Sequence, residues 1–131
     1  KAAELENVRK RVQKERYQLR EQVKAEAMQD FLPLNDDLLR TLDASKDSSV
    51  DENFLAGVEM VSQKFAEILA KHGIEKIDDT GVPFDVNLHD ALLRQPATDE
   101  KTPSDTVLQV LERGYRMGEK VIKHAKVIVS Q

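Results

Sequence analysis

From Lys1 to Asp30 the chain contains no Gly and no Pro and is filled with Glu, Lys, Arg, Gln, Ala and Leu, residues that lose little freedom on entering a helix. One long helix is therefore predicted. Its apolar positions, Leu5, Val8, Val12, Leu19, Val23 and Ala27, step mostly by four with an occasional three or seven, and the stripe continues through Phe31, Leu34, Leu38 and Leu42. A helix of about 28 residues is about 40 Å long at 1.5 Å per residue, more than the rest of a 131-residue chain can cover. The narrow stripe calls for a second copy of the same chain. That makes Val8, Val12, Leu19, Val23, Ala27, Phe31, Leu34 and Leu38 candidate dimer contacts.

Recurrences eleven apart (Val8 and Leu19, Val12 and Val23, Val23 and Leu34, Ala27 and Leu38, Phe31 and Leu42) outnumber a clean heptad. They predict nearly straight or slightly right-handed pairing rather than a leucine zipper. Glu15 and Gln22 stand where a strict heptad would want core, so the pairing is expected to be weak and to melt before the rest of the chain.

Composition fits this reading. Apolar residues make up 40% and charged residues 34%, whereas aromatics are only 5% and Trp is absent, a mix of long solvated helices rather than of a compact sphere. The absence of Cys excludes structural disulfides and thiolate zinc sites. No apolar run approaches the roughly 20 residues that cross a bilayer, and Lys1 to Lys10 is too charged for a signal peptide. The chain is expected to be soluble, with no membrane partner. Because it opens on Lys1 in mid-pattern rather than on Met, an upstream segment is expected to have been removed. The formal charge of −4 hides an asymmetry: Lys1 to Lys24 carries eight Lys or Arg against four Glu, which makes this stretch +4 and the remainder −8.

Pro33, within Phe31-Leu32-Pro33-Leu34, removes a backbone donor and crowds the preceding turn, so the helix should kink or restart there. Asp43-Ala44-Ser45-Lys46-Asp47-Ser48-Ser49 reads as a polar loop. A second helix is expected from Ser49 or Asp51, either of which can cap it, with Phe54, Val58, Val61, Phe65, Ile68 and Leu69 at helical spacing. Lys71-His72-Gly73 supplies its stop. Two such hairpins would bury their stripes in a four-helix bundle, which adds Phe54, Val58, Val61 and Phe65 to the candidate dimer contacts.

After Gly73 the pattern changes to short β-prone runs broken by turn residues. Ile74 to Ile77 is followed by Asp78-Asp79-Thr80-Gly81, Leu92-Leu93 by Gln95-Pro96, and Thr106 to Leu111 by Glu112-Arg113-Gly114. Tyr115-Arg116-Met117 then meets Gly118-Glu119 before Val121-Ile122 and Val127-Ile128-Val129. Five or six short strands are predicted. The fold class is α+β: a long paired helix with its kink near Pro33 (1–42), a loop and second bundle helix (43–73), and a small C-terminal β-domain (74–131). A β-domain of this size is near the lower limit for an independent core, so docking on the helices is expected to help hold it.

Candidate chemistry is sparse. His72, His89 and His124 lie in three different elements without a second ligand at metal spacing, so no metal site is expected. Asp85 and His89 are four apart and could face each other as an acid/base pair, but nothing supplies a nucleophile or an anion hole. Gly-rich phosphate loops and Gly-x-Ser-x-Gly elbows are absent. The expectation is a protein that is no enzyme, with no catalytic residues, no cofactor and no small-molecule substrate. Arg9, Lys10, Arg11, Lys14, Arg16 and Arg20 raise an alternative, a basic coiled-coil nucleic-acid-binding protein. Interspersed glutamates, the missing leucine heptad and the lack of base-reading Asn or aromatic side chains argue against it, so no nucleic-acid partner is expected.

Pro83-Phe84-Asp85-Val86-Asn87-Leu88-His89-Asp90-Ala91-Leu92 resembles the Phe-Asp-Pro-Asn-x-His-Glu-Ala signature of GrpE-type nucleotide exchange factors. Gly114 to Val129, opening on Gly114-Tyr115, is similar to that family's closing motif and last strands. Glu6-Asn7-Val8-Arg9-Lys10-Arg11 is similar to its long-helix motif, Phe31-Leu32-Pro33-Leu34 to its kink, and Gly57-Val58-Glu59 to its second-helix motif. The resemblance runs from about Glu4 to Val129 in the family's order.

It implies a homodimeric co-chaperone of protein folding and the stress response. That co-chaperone would bind the ATPase domain of a DnaK-type chaperone, mainly through one β-domain, and open its cleft so that ADP leaves. It implies a bacterial cytoplasm, or an organelle matrix, as its location. By position, Arg9 and Lys10 match a basic pair facing the chaperone, Gly57 a glycine on the bundle surface near that contact, and Lys120 and Val129 contact positions of the β-domain. The chain departs from the family pattern at Val86, where Pro is usual, and at Lys120, where Arg is usual. Pro103-Ser104-Asp105-Thr106 is one residue longer than the family's Pro-Gly-Thr turn, and Lys123-His124 replaces Arg-Pro.

Overall fold

The computed structural model describes residues 1–46 and 48–131. Among them are three helices, α1 (Ala2–Gln29), α2 (Leu32–Ser45) and α3 (Glu52–Lys71). Six strands follow: β1 (Ile74–Ile77), β2 (His89–Gln95), β3 (Val107–Glu112), β4 (Gly114–Met117), β5 (Lys120–Lys123) and β6 (Ala125–Ser130). The α+β class is as expected, and the count of strands is the upper of the two expected.

The break between α1 and α2 falls at Asp30 and Phe31, just before Pro33. Pro33 lies in the first turn of α2, where its missing N–H would have had no helical acceptor in any case. The proline thus starts the second helix instead of kinking the first. The polar loop expected from Asp43 is shorter than its composition suggested, because α2 runs on to Ser45. Thr41 Oγ1 donates to Asp37 O at 2.8 Å and Ser45 Oγ donates to Thr41 O at 2.7 Å, so the hydroxyls are satisfied within the helix and do not break it. Asp47, in the middle of that loop, lies outside the described residues.

Asp51 caps α3, its Oδ1 accepting from the Asn53 N–H at 3.0 Å. The helix ends where Gly73 takes a left-handed φ of +75° and donates its N–H to Ala70 O at 2.9 Å, the conformation that favours glycine beyond a helix terminus.

The strands form two three-stranded sheets, β1-β4-β5 and β2-β6-β3. The first is antiparallel throughout, with Ile74 opposite Met117 and Met117 opposite Lys120. In the second, the central strand β6 runs parallel to β2 and antiparallel to β3. Burial follows this division. One core joins Ala25, Leu32 and Leu69 of the three helices to Ile74, Tyr115 and Met117 of the first sheet, with Met28, Phe65 and Ile122 against it. The other collects Ile77, Val107, Ala125, Val127 and Val129, with Val82, Phe84, Leu88, Val110 and Val121 around it. The helices and the β-domain thus share a core, as the small size of the β-domain demands.

Candidate functional site

The helical surface is defined by what a single chain leaves uncovered. Ala25 is the one buried residue of α1 among those described, so this helix touches the rest of the chain only near its C-terminal end. Val8, Val12, Leu19 and Val23 are all exposed, Leu19 to 60%, as is Ala27. Phe31 and Leu34 are half-exposed at the break and at the start of α2, and Phe54 and Val61 are exposed on α3. Leu38, Val58 and Phe65 are only partly covered, and Phe65 already contributes to the core that joins helices and sheet. An apolar row of this extent on one chain is the kind of surface that marks an interface.

The cations of α1 lie on the solvated side. Arg9 and Lys10 are exposed, and Arg11 faces Glu15 at 3.9 Å, an i, i+4 pair. Gly57 is exposed on α3, and a Cβ built there meets nothing within 4 Å. Among the described residues nothing therefore requires glycine at that position. Lys120 is exposed at the start of β5. Ile122 of that strand packs on the core holding Ala25 and Met28, so Lys120 lies towards the C-terminal end of α1. Arg9 precedes Ala25 by about 24 Å of helix at 1.5 Å per residue. The structure thus spreads these surface residues along the molecule instead of clustering them in one cleft.

Val129 requires a correction. Its side chain is completely buried in β6, packed in the core with Ile77, Val107, Ala125 and Val127. It shapes the sheet and offers no side-chain surface to a partner.

The signature stretch forms a closed turn on the β-domain. Asp85 Oδ1 accepts from the Asn87 N–H at 2.9 Å, and Asp85 O accepts from the His89 N–H at 2.8 Å. The Asp85 N–H in turn donates to His89 Nδ1 at 3.0 Å, which places the proton of the neutral imidazole on Nε2. The His89 ring is buried and lies 5.8 Å from the Phe84 ring between centroids. Asp85 and His89 therefore meet through a backbone amide, and their contact holds the turn in shape. His89→Ala would leave the Asp85 amide without its acceptor and a gap against Phe84. A loss of about 2–3 kcal/mol is expected in urea unfolding followed on the β-domain.

A cleft of about 640 Å³ opens beside this turn, floored by Ile77, Val82, Phe84 and Leu88 and rimmed by Lys76 and Arg116. Among the described residues no group of three or more His, Cys, Asp or Glu is placed to hold a metal ion.

Sequence reasoning missed the joint between helices and β-domain. Tyr115, Asn35 and Asp36 are buried there together. Asn35 Nδ2 donates to the Tyr115 hydroxyl at 3.0 Å, and that hydroxyl donates to Asp36 Oδ1 at 2.6 Å. Burial first, and then the Asp36 carboxylate, push the Tyr115 hydroxyl well above the ordinary tyrosine value, so it stays a donor. Lys123 Nζ lies 3.9 Å from Asp36 Oδ2 and bonds to Glu112 Oε1, whose other oxygen is 3.2 Å from Lys126 Nζ. The Lys123 and Lys126 hydrogen bonds hold the Glu112 carboxyl below its usual range. Its contribution is present above the ordinary glutamate value and is lost as pH falls through the lowered one. One signal for this joint was available: Leu32, Asn35, Asp36 and Leu39 share a helical face. The more apolar face through Leu34, Leu38 and Leu42 drew attention away from it.

Comparison with known proteins decides the family. The GrpE family model matches residues 1–131. The chain belongs to the GrpE family.

It is 37% identical over 129 residues to "Protein GrpE" of Fructilactobacillus sanfranciscensis, which covers 98% of this chain and 71% of that protein. It is 38% identical over 131 residues to "Protein GrpE" of Thermosynechococcus vestitus, covering 98% of this chain and 51% of that one. "Protein GrpE" of Nitratidesulfovibrio vulgaris is 36% identical over 129 residues, 98% of this chain and 66% of its own. The chain thus spans between about half and about seven-tenths of these GrpE proteins. No helix among the described residues is long and apolar enough to cross a membrane.

Proposed function

We propose that this chain is a nucleotide exchange factor that binds the ATPase domain of a DnaK-type chaperone as a homodimer and promotes ADP release by opening its cleft. Membership of the GrpE family along residues 1–131 carries this reading. The exposed apolar row on α1, α2 and α3 supports the dimer. The same side chains from a second copy, Val8, Val12, Leu19, Val23, Ala27, Phe31, Leu34, Leu38, Phe54, Val58, Val61 and Phe65, would cover it and complete a four-helix bundle. The functional division is then a long dimerisation helix with the first bundle helix, a second bundle helix to residue 73, and a β-domain from residue 74. A bacterial cytoplasm is the location that fits the organisms of the relatives.

The mechanism needs no bond to be made or broken by this chain. A partner that binds the open conformer of the ATPase domain more tightly than the closed one shifts the population towards open by that difference in affinity. By linkage, ADP must weaken the complex by the same factor. Lys120 on the β-domain and Arg9, Lys10 and Gly57 on the helices are the contacts we assign. The open space around Gly57 in its own chain supports a need for close approach by another molecule, since glycine otherwise costs a helix about 1 kcal/mol against alanine.

The experiment is release of labelled ADP from a DnaK-type ATPase domain with and without this protein; an unchanged rate at saturation would refute the reading. Lys120→Glu is expected to weaken the chaperone complex about tenfold while leaving the dimer intact, since it reverses a single exposed charge. Titration calorimetry giving the wild-type affinity would remove Lys120 from the contact surface.

A further inference from the structure

Among the described residues, the joint between helices and β-domain combines an apolar core with a buried polar row. Elsewhere the helices meet the first sheet through apolar side chains. At Tyr115 a row of polar groups crosses the boundary: Asn35 and Asp36 of α2, the Tyr115 hydroxyl of β4, Lys123 of β5, Glu112 of β3 and Lys126 of β6. Tyr115 is fully buried, and its two helix partners lie eighty and seventy-nine residues away in sequence. Apolar packing has no preferred bond direction, whereas buried hydrogen bonds are directional and costly to leave unmade. The hydroxyl accepts from Asn35 and donates to Asp36, so its oxygen is held from two sides and ties β4 to α2.

We propose that Asn35, Asp36 and Tyr115 are positioning residues, a clamp that fixes the angle of the β-domain so that the protein can tell the open ATPase domain from the closed one. The inference rests on the exchange-factor reading. Discrimination requires the helix contacts and the β-domain contacts to be held at a set spacing that suits only the open form. A β-domain free to swing would engage both forms with similar strength, and a partner with equal affinity for two states shifts nothing however tightly it binds. Loosening the clamp should therefore reduce exchange while leaving binding largely intact, a split that a loss of contact residues would not produce.

Tyr115→Phe tests this, because it keeps the buried ring and removes only the shared hydroxyl. The chain has no cysteine, so Lys64→Cys on α3 and Gln109→Cys on β3, both exposed positions, can carry spin labels in a background of excess unlabelled chain. Tyr115→Phe is expected to broaden the distance between them at least about twofold. With an ADP-loaded DnaK-type ATPase domain, the saturating rate of ADP release should fall about tenfold, and the half-saturating concentration should change less than about threefold. A distance distribution as narrow as wild type, or an unchanged saturating rate, overturns the proposal. Equal losses in rate and affinity also overturn it, since they would mark Tyr115 as a support for the contact surface only. If Tyr115→Phe does not fold, Asn35→Ala, which removes one partner of the same hydroxyl, is read in the same way and by the same criteria. A wild-type chain that leaves ADP release unchanged refutes the exchange reading itself, and the label distances still decide whether the clamp exists.

Discussion

Gly114→Ala is expected to cost the β-domain about 3–4 kcal/mol, a large share of the roughly 5–15 kcal/mol that holds an ordinary domain folded. A Cβ at this position would lie 2.6 Å from Lys123 O and 2.9 Å from the carbonyl carbon of His124, and closer still to the Ala125 nitrogen. All three are backbone atoms, so no side chain can swing aside. The chain passing from β5 into β6 would have to move away from β4, and β6 is the centre of the second sheet. Overpacking of this kind forces backbone shifts whose cost rises steeply with the overlap. Amide exchange would show the loss as protection in β6 falling by about two to three orders of magnitude while α1 keeps its helical signal. A variant within about 1 kcal/mol of wild type would mean that the approach of the two segments is looser than described.

Leu19→Glu combined with Val23→Glu is expected to convert the proposed dimer into single chains at micromolar concentration and to remove the proposed stimulation of ADP release with it. Both side chains are more than half exposed on one copy, so a folded monomer loses little by the exchange. In a dimer the two substitutions strip four apolar side chains from the interface. At about 1.5 kcal/mol for each side chain buried, the loss is about 6 kcal/mol, a weakening of more than about 10⁴-fold in the dissociation constant. Sedimentation velocity reads the mass and circular dichroism the fold of the β-domain, which should survive because its cores contain neither residue. A doubly substituted chain that sediments like the wild type would place the paired surface elsewhere.

Several features were legible along the chain because they depend on neighbours a few residues apart. A start of α3 at Ser49 or Asp51, its stop at Gly73, and five or six short strands follow from spacing and turn chemistry that a short window contains. Pro33 marked the helix break to within a few residues, and of the two forms expected there, a kink or a restart, the helix takes the restart, since a proline can open a helix as readily as interrupt one. Gly114 reads in sequence as one more turn residue, yet its backbone is not in a left-handed conformation. It is glycine because Lys123 to Ala125 passes directly against it.

The positions carried over from the family divide in the same way. Arg9, Lys10, Gly57 and Lys120 stand on the surface, where a partner can reach them, because each lies on the outward side of a helix or at a strand end. Val129 does not, because alternation along β6 fails where the strand is central and covered on both faces. A short run such as Val127-Ile128-Val129 carries no period from which exposure could be read.

The amino-acid order alone determined that a helix of about 40 Å carries a narrow apolar edge and that a β-rich segment follows two amphipathic helices, because helix and strand periods are local. Only the tertiary structure decided which polar groups turn inward. Asn35 and Asp36 look like ordinary solvated helix residues until a tyrosine some eighty positions later in the chain is folded against them. Burial of that pair depends on which helical face the β-domain covers, and a contact across so long a stretch of chain leaves no mark in the pattern of nearby residues.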